Sequence, residues 1–379
     1  IDWMKQAPEA MLIITHDRDV LQQVDRIVEL KDGGSQSFKG NYDAYLKQNA
    51  HSTGTAMNEF ELIEKRIVNL KQKVIDYQRL KEKSRNPQTI QKFKRLEQES
   101  RKELAELQAK EKPTFWIDRE SAENLNYKVA GQYAKFKARN IKMNIKDESS
   151  RSSHVLVKAA NVSLGYDTPL FSGINIDLRE GEAVELRGRN GAGKSTFIKK
   201  LLENQKSHHL IRSRVVRSAP TGPANSQDDA TASSAITVFH GELSLDSKVR
   251  IGVYEQEVSP DYFDLPLKDA IERTYLDRNL QINETKIRGL MHDYLFTETD
   301  GHIPVEKLSG GQKARLQVIA MLANDPQLLI LDEPTNHLDL PSIEELETAL
   351  KKYSGAILYV SHDDYFRKAI EGEVIKIGA

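Results

Sequence analysis

Apolar residues in the first third of the chain recur at helical spacing. From Met57 to Lys83, Phe60, Ile63, Ile67, Leu70, Val74 and Tyr77 alternate steps of three and four, the heptad seam that two helices share. The segment contains no Gly or Pro, and it predicts one helix about 40 Å long at 1.5 Å per residue. Ser84-Arg85-Asn86-Pro87 ends it. A second helical run, Gln88 to Lys110, presents Ile90, Phe93, Leu96, Leu104 and Leu107 before Pro113. Two such helices joined by a short turn predict an antiparallel hairpin.

The other strong pattern is the short, wholly apolar run expected of strands covered on both faces. Leu12-Ile13-Ile14-Thr15-His16-Asp17 and Leu358-Tyr359-Val360-Ser361-His362-Asp363 have one plan: a buried strand, a hydroxyl, then His-Asp. Each is followed by an amphipathic run and a second strand, Arg26–Lys31 and Glu373–Ile377. A repeat of such long period predicts two copies of one domain, the first present only as its tail. The expected division is a first-copy remnant at 1–50, the helical hairpin at 51–112 and a polar connection at 113–154. A second, complete domain follows at 155–379. Within it Asn204 to Ser234, rich in small polar residues and with little periodicity, reads as a flexible insertion. The opening Ile1-Asp2-Trp3-Met4 reads as the inside of a helix, so a fragment is expected.

Composition changes this picture in two ways. The chain has no cysteine, so there is no disulfide framework or thiolate metal site. No apolar run reaches the 18 or so residues that span a membrane, and no signal peptide opens the chain; a cytoplasmic protein is expected. The net charge of −1 also conceals an asymmetry. Lys65 to Lys102 holds 13 Lys or Arg against 4 acids, a local excess of 13 − 4 = 9. That excess asks for an anionic partner; the hairpin as a plain spacer is the competing reading.

Three segments carry chemistry. Gly188-Arg189-Asn190-Gly191-Ala192-Gly193-Lys194-Ser195 fits the phosphate-binding loop, with Glu182 to Leu186 as the strand before it and Ser195 to Leu202 as the helix after. Glycines let successive N–H groups face one anion at a helix N-terminus. The lysine reaches the β- and γ-phosphates, and the serine hydroxyl binds Mg²⁺. Leu328-Leu329-Ile330-Leu331-Asp332-Glu333 is an apolar strand ending in two carboxylates, Asp332 suited to Mg²⁺ and Glu333 to the attacking water. A plain solvated strand exit is the alternative. Leu308-Ser309-Gly310-Gly311-Gln312 opens a helix and offers either a second phosphate site or an ordinary cap at Ser309.

In this order, and with Ser361-His362-Asp363 after them, these segments resemble the ATP-binding-cassette domains over about 220 residues. The resemblance implies an α/β P-loop cassette that hydrolyses ATP with Mg²⁺, bound by the loop through Thr196. It implies Gln256 as the glutamine that senses Mg²⁺ and the attacking water, and His362 as the switch histidine on the γ-phosphate. Tyr166 would stack on adenine, unless it is a core tyrosine. It further implies that ATP lies between two cassettes, the loop of one facing Ser309, Gly310, Gly311 and Gln312 of the other. Glu333-Pro334-Thr335-Asn336-His337-Leu338-Asp339, and Phe38 to Tyr45, narrow the likeness to the ABC-F proteins, which carry two cassettes and no membrane domain. The hairpin then occupies the place of the linker that reaches the ribosome's tRNA exit site, contacting rRNA and tRNA. Most of a first cassette, including its phosphate loop, is absent from this pattern, and the 204–234 insertion is longer than it. A transporter's ATPase subunit and a DNA-maintenance factor of the same subfamily are the alternatives.

Overall fold

The computed structural model describes residues 10–31, 34–110, 112–124, 127–143, 154–215 and 236–378. The chain divides into two compact units, Ile1–Ala7 with Leu21–Arg139 and Pro8–Val20 with Asn140–Ala379. A four-residue helix, α1 (Arg18–Leu21), precedes the first sheet.

In the first unit, β1 (Arg26–Lys31) and β2 (Gly34–Lys39) pair antiparallel, Arg26 opposite Lys39. Asn41 then accepts the Ala44 N–H and caps α2 (Tyr42–Lys83), about 63 Å long by its 42 residues. Asn86 caps α3 (Pro87–Gln108), with Pro87 in its first turn. The two helices run antiparallel. Leu70 and Val74 of the predicted seam are buried, and the Tyr77 and Phe93 rings stack at 6.2 Å.

α2 begins well before Met57, because the seam continues in polar form. Tyr42, Tyr45, Asn49 and Thr53 are buried at helical spacing, and the Asn49 amide donates to the Trp116 carbonyl at 2.9 Å. The division expected at residue 50 therefore falls inside a helix. Short helices α4 (Arg119–Glu123) and α5 (Tyr127–Phe136) follow. Met57, Ile117, Tyr133 and Phe136 form a small core there.

The second unit is layered. β3 (Val155–Gly165), β4 (Pro169–Arg179) and β6 (Thr237–Leu245) form an antiparallel sheet in the order β4-β3-β6. β5 (Ala183–Arg187), β7 (Ile251–Tyr254), β8 (Leu328–Asp332), β9 (Ala356–Val360) and β10 (Glu373–Lys376) form a parallel sheet, β10-β5-β9-β8-β7. Side-chain alternation divides its central strands between two cores. Leu328, Ile330, Ala356, Leu358 and Val360 join the antiparallel sheet and α6 (Lys194–Val215). Leu329, Leu331, Ile357 and Tyr359 face the opposite way. They meet a helical layer of α7 (Leu267–Leu276), α8 (Glu284–Asp293), α9 (Gly310–Leu322), α10 (Leu340–Lys351) and α11 (Asp364–Ile370).

Two expectations are corrected. Leu12 to Asp17 forms no strand: Leu12 and Ile14 are 93% and 95% exposed. A run apolar on both faces needs sheet neighbours on both edges, and no described strand pairs with it. The expected insertion starts as helix, since α6 continues through Val215; 216–235 lies outside the described residues.

Candidate nucleotide site

The C-terminal ends of four parallel strands meet at one edge of the sheet, where ligands of open α/β sheets bind. β5 delivers Gly188 to Ser195, β7 delivers Gln256, β8 delivers Asp332 and Glu333, and β9 delivers Ser361 and His362. Their register keeps these ends level, with Tyr254 opposite Leu331 and Asp332 opposite Val360.

The loop is shaped around its own lysine. Lys194 Nζ donates to the Gly188 and Arg189 carbonyls at 2.9 and 3.1 Å, and the side chain is buried. Gly193 has φ +98°, and a Cβ there would stand 2.8 Å from the Phe171 ring. The start of β4 therefore closes over the loop, and this position requires glycine. Tyr166, half-buried, lies in the turn that leads into β4. Ser195 is half-buried and Thr196 buried in the first turn of α6, with Arg189, Asn190 and Gly191 exposed and Ala192 half-buried.

Glu333 adopts φ +52°, a region that side chains rarely visit and that marks stored strain. Its N–H donates to the Val360 carbonyl at 3.0 Å, which turns the carboxylate back over the end of β9. There Oε2 accepts the His362 N–H at 3.1 Å, and the His362 Nε2 stands 3.2 Å from Oε1. Burial pushes the Glu333 carboxyl above the usual range, against the pull of His362 and Lys194. Lys194, Glu333 and His362 thus share one electrostatic field. Asp332 Oδ1 is buried without a hydrogen-bond partner among the described residues. An orphaned acceptor of that kind suits a cation. Gln256 is exposed just beyond β7.

The remaining predicted segment lies elsewhere. Ser309 caps α9 in a reciprocal box: its Oγ accepts the Gln312 N–H at 3.2 Å, and Gln312 Oε1 accepts the Ser309 N–H at 3.0 Å. Gly310 packs against His337, whose ring would be 3.4 Å from a Cβ there. The structure joins the loop, Glu333 and His362, but joins Ser309 to Gln312 with His337 instead.

The family profile described as ABC transporter matches residues 171–336. The putative ATP-binding protein YdiF of Bacillus subtilis is 29% identical over 98% of this chain and 48% of its own length. ABC transporter F family member 5 of Arabidopsis thaliana is 28% identical over 100% and 46%. The chain is similar to members of the ABC-F family. Ribosome protection protein VmlR of Bacillus subtilis is 26% identical to this chain over 97% of it and 59% of VmlR. The chain spans about half the length of the curated relatives it matches. Among solved structures, the dimeric ATP-binding cassette MJ0796 in a post-hydrolysis state with ADP and Pi is 21% identical, with a TM-score of 0.42 over 59% of this chain and 94% of its own. Among the described residues no helix is long and apolar enough to cross a membrane.

Sequence reasoning missed Arg18. Its guanidinium is buried, donates to Asp363 Oδ2 from Nε and Nη2 at 3.1 and 2.8 Å, and also meets Glu347. It stacks on Tyr365, 4.8 Å from the ring centre. Asp363 in turn accepts the Tyr365 and Phe366 N–H groups and caps α11, immediately after His362. The only sequence signal was His16-Asp17-Arg18 echoing His362-Asp363.

Proposed function

We propose that this ABC-F chain binds ATP with Mg²⁺ at the sheet edge, hydrolyses it against a second cassette, and acts on the ribosome through its basic hairpin. Gly188 to Thr196 would hold the phosphates, with Lys194 released from its carbonyls to meet them and Tyr166 beside the adenine. Ser195, Asp332 and Gln256 would hold Mg²⁺, which neutralises charge on the β- and γ-phosphate oxygens. Glu333 accepts the proton of the attacking water, and His362 keeps that carboxylate turned toward the γ-phosphate. Ser309 to Gln312 would face the nucleotide of the partner cassette.

The observation that carries the ribosomal reading is the charge at the hairpin's tip. Some of the excess is neutralised: across the seam Lys81 meets Glu97 at 2.7 Å and Arg66 meets Glu103 at 2.7 Å, and within α3 Arg95 meets Glu99 at 2.8 Å. Lys71, Arg79, Lys83, Arg85, Lys92 and Lys94 are exposed, with no ion pair among the described residues. Five unpaired cations near the tip, with Lys71 farther down α2, suit a polyphosphate such as RNA. The name of VmlR, a ribosome protection protein, supports the same partner.

The test is co-sedimentation with ribosomes in the presence of ATP. Replacing Lys83, Arg85, Lys92 and Lys94 by Glu should abolish it while ATP binding at the loop persists. The unsubstituted protein should lose association steeply with salt, log affinity falling by about 0.7 to 0.9 per phosphate neutralised for each unit of log salt. Equal sedimentation of both proteins would reduce the hairpin to a spacer.

A further inference from the structure

Gln312 is held at both ends of its amide. Oε1 closes the capping box with the Ser309 N–H, and Nε2 donates to Asp300 Oδ1 at 3.0 Å. Asp300 is itself oriented by Thr297, whose backbone N–H and hydroxyl both donate to Oδ2 at 2.7 Å. One carboxylate oxygen therefore serves the turn at 297–300 and the other serves Gln312. Burial disfavours the Asp300 carboxylate, yet the bonds from Thr297 and Gln312 and the charge of Arg315 hold it below the usual range. Arg315, one turn into α9, donates to the Tyr294 and Leu295 carbonyls at 2.9 and 3.0 Å and lies 4.9 Å over the Phe296 ring. The stretch from Tyr294 to Asp300 is thus fastened to the first two turns of α9 at two points.

An anion at a helix N-terminus is bound by the unpaired N–H groups of the first turn, and only in the direction those groups point. A turn free to fray does not hold that direction. We propose that Asp300 is a positioning residue for nucleotide contact by α9: through the Gln312 amide it fixes the Ser309–Gln312 turn, and it selects an amide over a carboxylate at 312. This rests on the reading that the turn faces the partner cassette's ATP. A carboxylate at 312 would stand against that of Asp300, and two carboxylates at such a distance do not both ionise freely.

A double-substitution cycle tests this, with Gln312→Glu, Asp300→Asn and the pair together. Turnover is measured with the partner cassette present, nucleotide affinity with a fluorescent ATP analogue, and amide exchange at 309–313 in this chain alone. Gln312→Glu should lower kcat by about tenfold at pH 8 with KM little changed, and should speed exchange at 309–313. Activity relative to the unsubstituted protein at the same pH should recover as the pH falls and the carboxylate pair takes up a proton. Adding Asp300→Asn should bring kcat to within about threefold of the unsubstituted protein, because an amide again faces a carboxylate, and should leave only the pH response of the unsubstituted protein. Equal kcat and equal exchange for Gln312→Glu with and without Asp300→Asn would overturn the proposal. Exchange that follows the cycle while kcat stays flat retains Asp300's hold on the turn and overturns the nucleotide-facing reading instead.

Discussion

Glu333 Oε2 accepts the backbone N–H of His362 at 3.1 Å, and Oε1 lies 3.2 Å from the His362 ring Nε2. One carboxylate is therefore fixed by two groups of the same residue on the neighbouring strand end. Glu333→Gln keeps the shape and one acceptor oxygen but cannot take a proton. It should leave ATP affinity within about threefold while turnover falls by about a hundredfold or more, read in a phosphate-release assay. Lys194→Ala should instead weaken nucleotide binding itself. Turnover of Glu333→Gln at the unsubstituted rate would remove Glu333 from the chemistry.

The same carboxylate sets a pH dependence. Burial raises the Glu333 carboxyl above its ordinary value, so the folded protein binds this proton more readily than the unfolded chain does. Hydrolysis should fall as the pH drops through a value higher than a free glutamate would give. For stability, ionisation of Glu333 opposes folding; that opposition is absent below the unfolded glutamate's range and complete above the raised folded value. Glu333→Gln should accordingly be more stable than the parent at neutral pH, with the gap closing as the solution is acidified. Urea unfolding at several pH values reads the gap, and a gap that widens toward acid would contradict the assignment.

Arg18 makes a separate prediction about the region beside His362. Its partners Asp363 and Glu347 are nearly as buried as it is, at 7% and 14% side-chain exposure. Removing the cation would leave two carboxylates uncompensated, a loss of about 3 kcal/mol or more. Arg18→Ala should lower the unfolding midpoint of the second unit and slow turnover, because Asp363 caps the helix that follows His362. Unchanged urea unfolding would mean that the contact contributes nothing to the cassette.

Hairpin stability depends on acid in the opposite sense. The hydrogen bond from Lys81 lowers the Glu97 carboxyl, helped by Arg101 and opposed by burial. Its contribution is present above the unfolded glutamate's range and lost as the pH falls through the lowered folded value. Helicity measured by circular dichroism should decline there, and Glu97→Gln should flatten that decline.

Much of the cassette was legible because its chemistry is local in sequence. The loop at 188–195, the Asp332-Glu333 pair and His362 each follow a strand that an apolar run announces, and the parallel register then brings them level. What was not legible depended on partners far apart in the chain. Asp300 meets Gln312 across a loop, Lys81 meets Glu97 across the hairpin, and Arg18 meets Asp363 across 345 residues. No period or spacing encodes such pairs. The polar start of α2 escaped for another reason: Asn49 and Thr53 occupy core positions with side chains that hydrophobicity does not count. Leu12 to Ile14 failed the other way, since apolar composition predicts burial only where a sheet edge is available.

The last prediction follows from the separation of the two phosphate-facing elements. Gly188 to Ser195 opens α6 at the sheet edge, whereas Ser309 to Gln312 opens α9 beside Asp300 and His337. If ATP is hydrolysed between a loop and a Ser-Gly-Gly-Gln turn from different cassettes, this chain supplies half of each of two sites. Two copies related by a two-fold axis would complete both. ATPase activity of the chain alone should then be negligible when dilute and rise more than linearly with protein concentration, approaching second order well below the association constant's reciprocal. Glu333→Gln should promote that association when ATP is present, because the closed pair is no longer released by hydrolysis. Sedimentation velocity with ATP should show the dimer for Glu333→Gln and a monomer for Lys194→Ala. Specific activity that stays constant over about a hundredfold dilution, where a bimolecular site would lose occupancy by mass action, would require a complete site within one molecule.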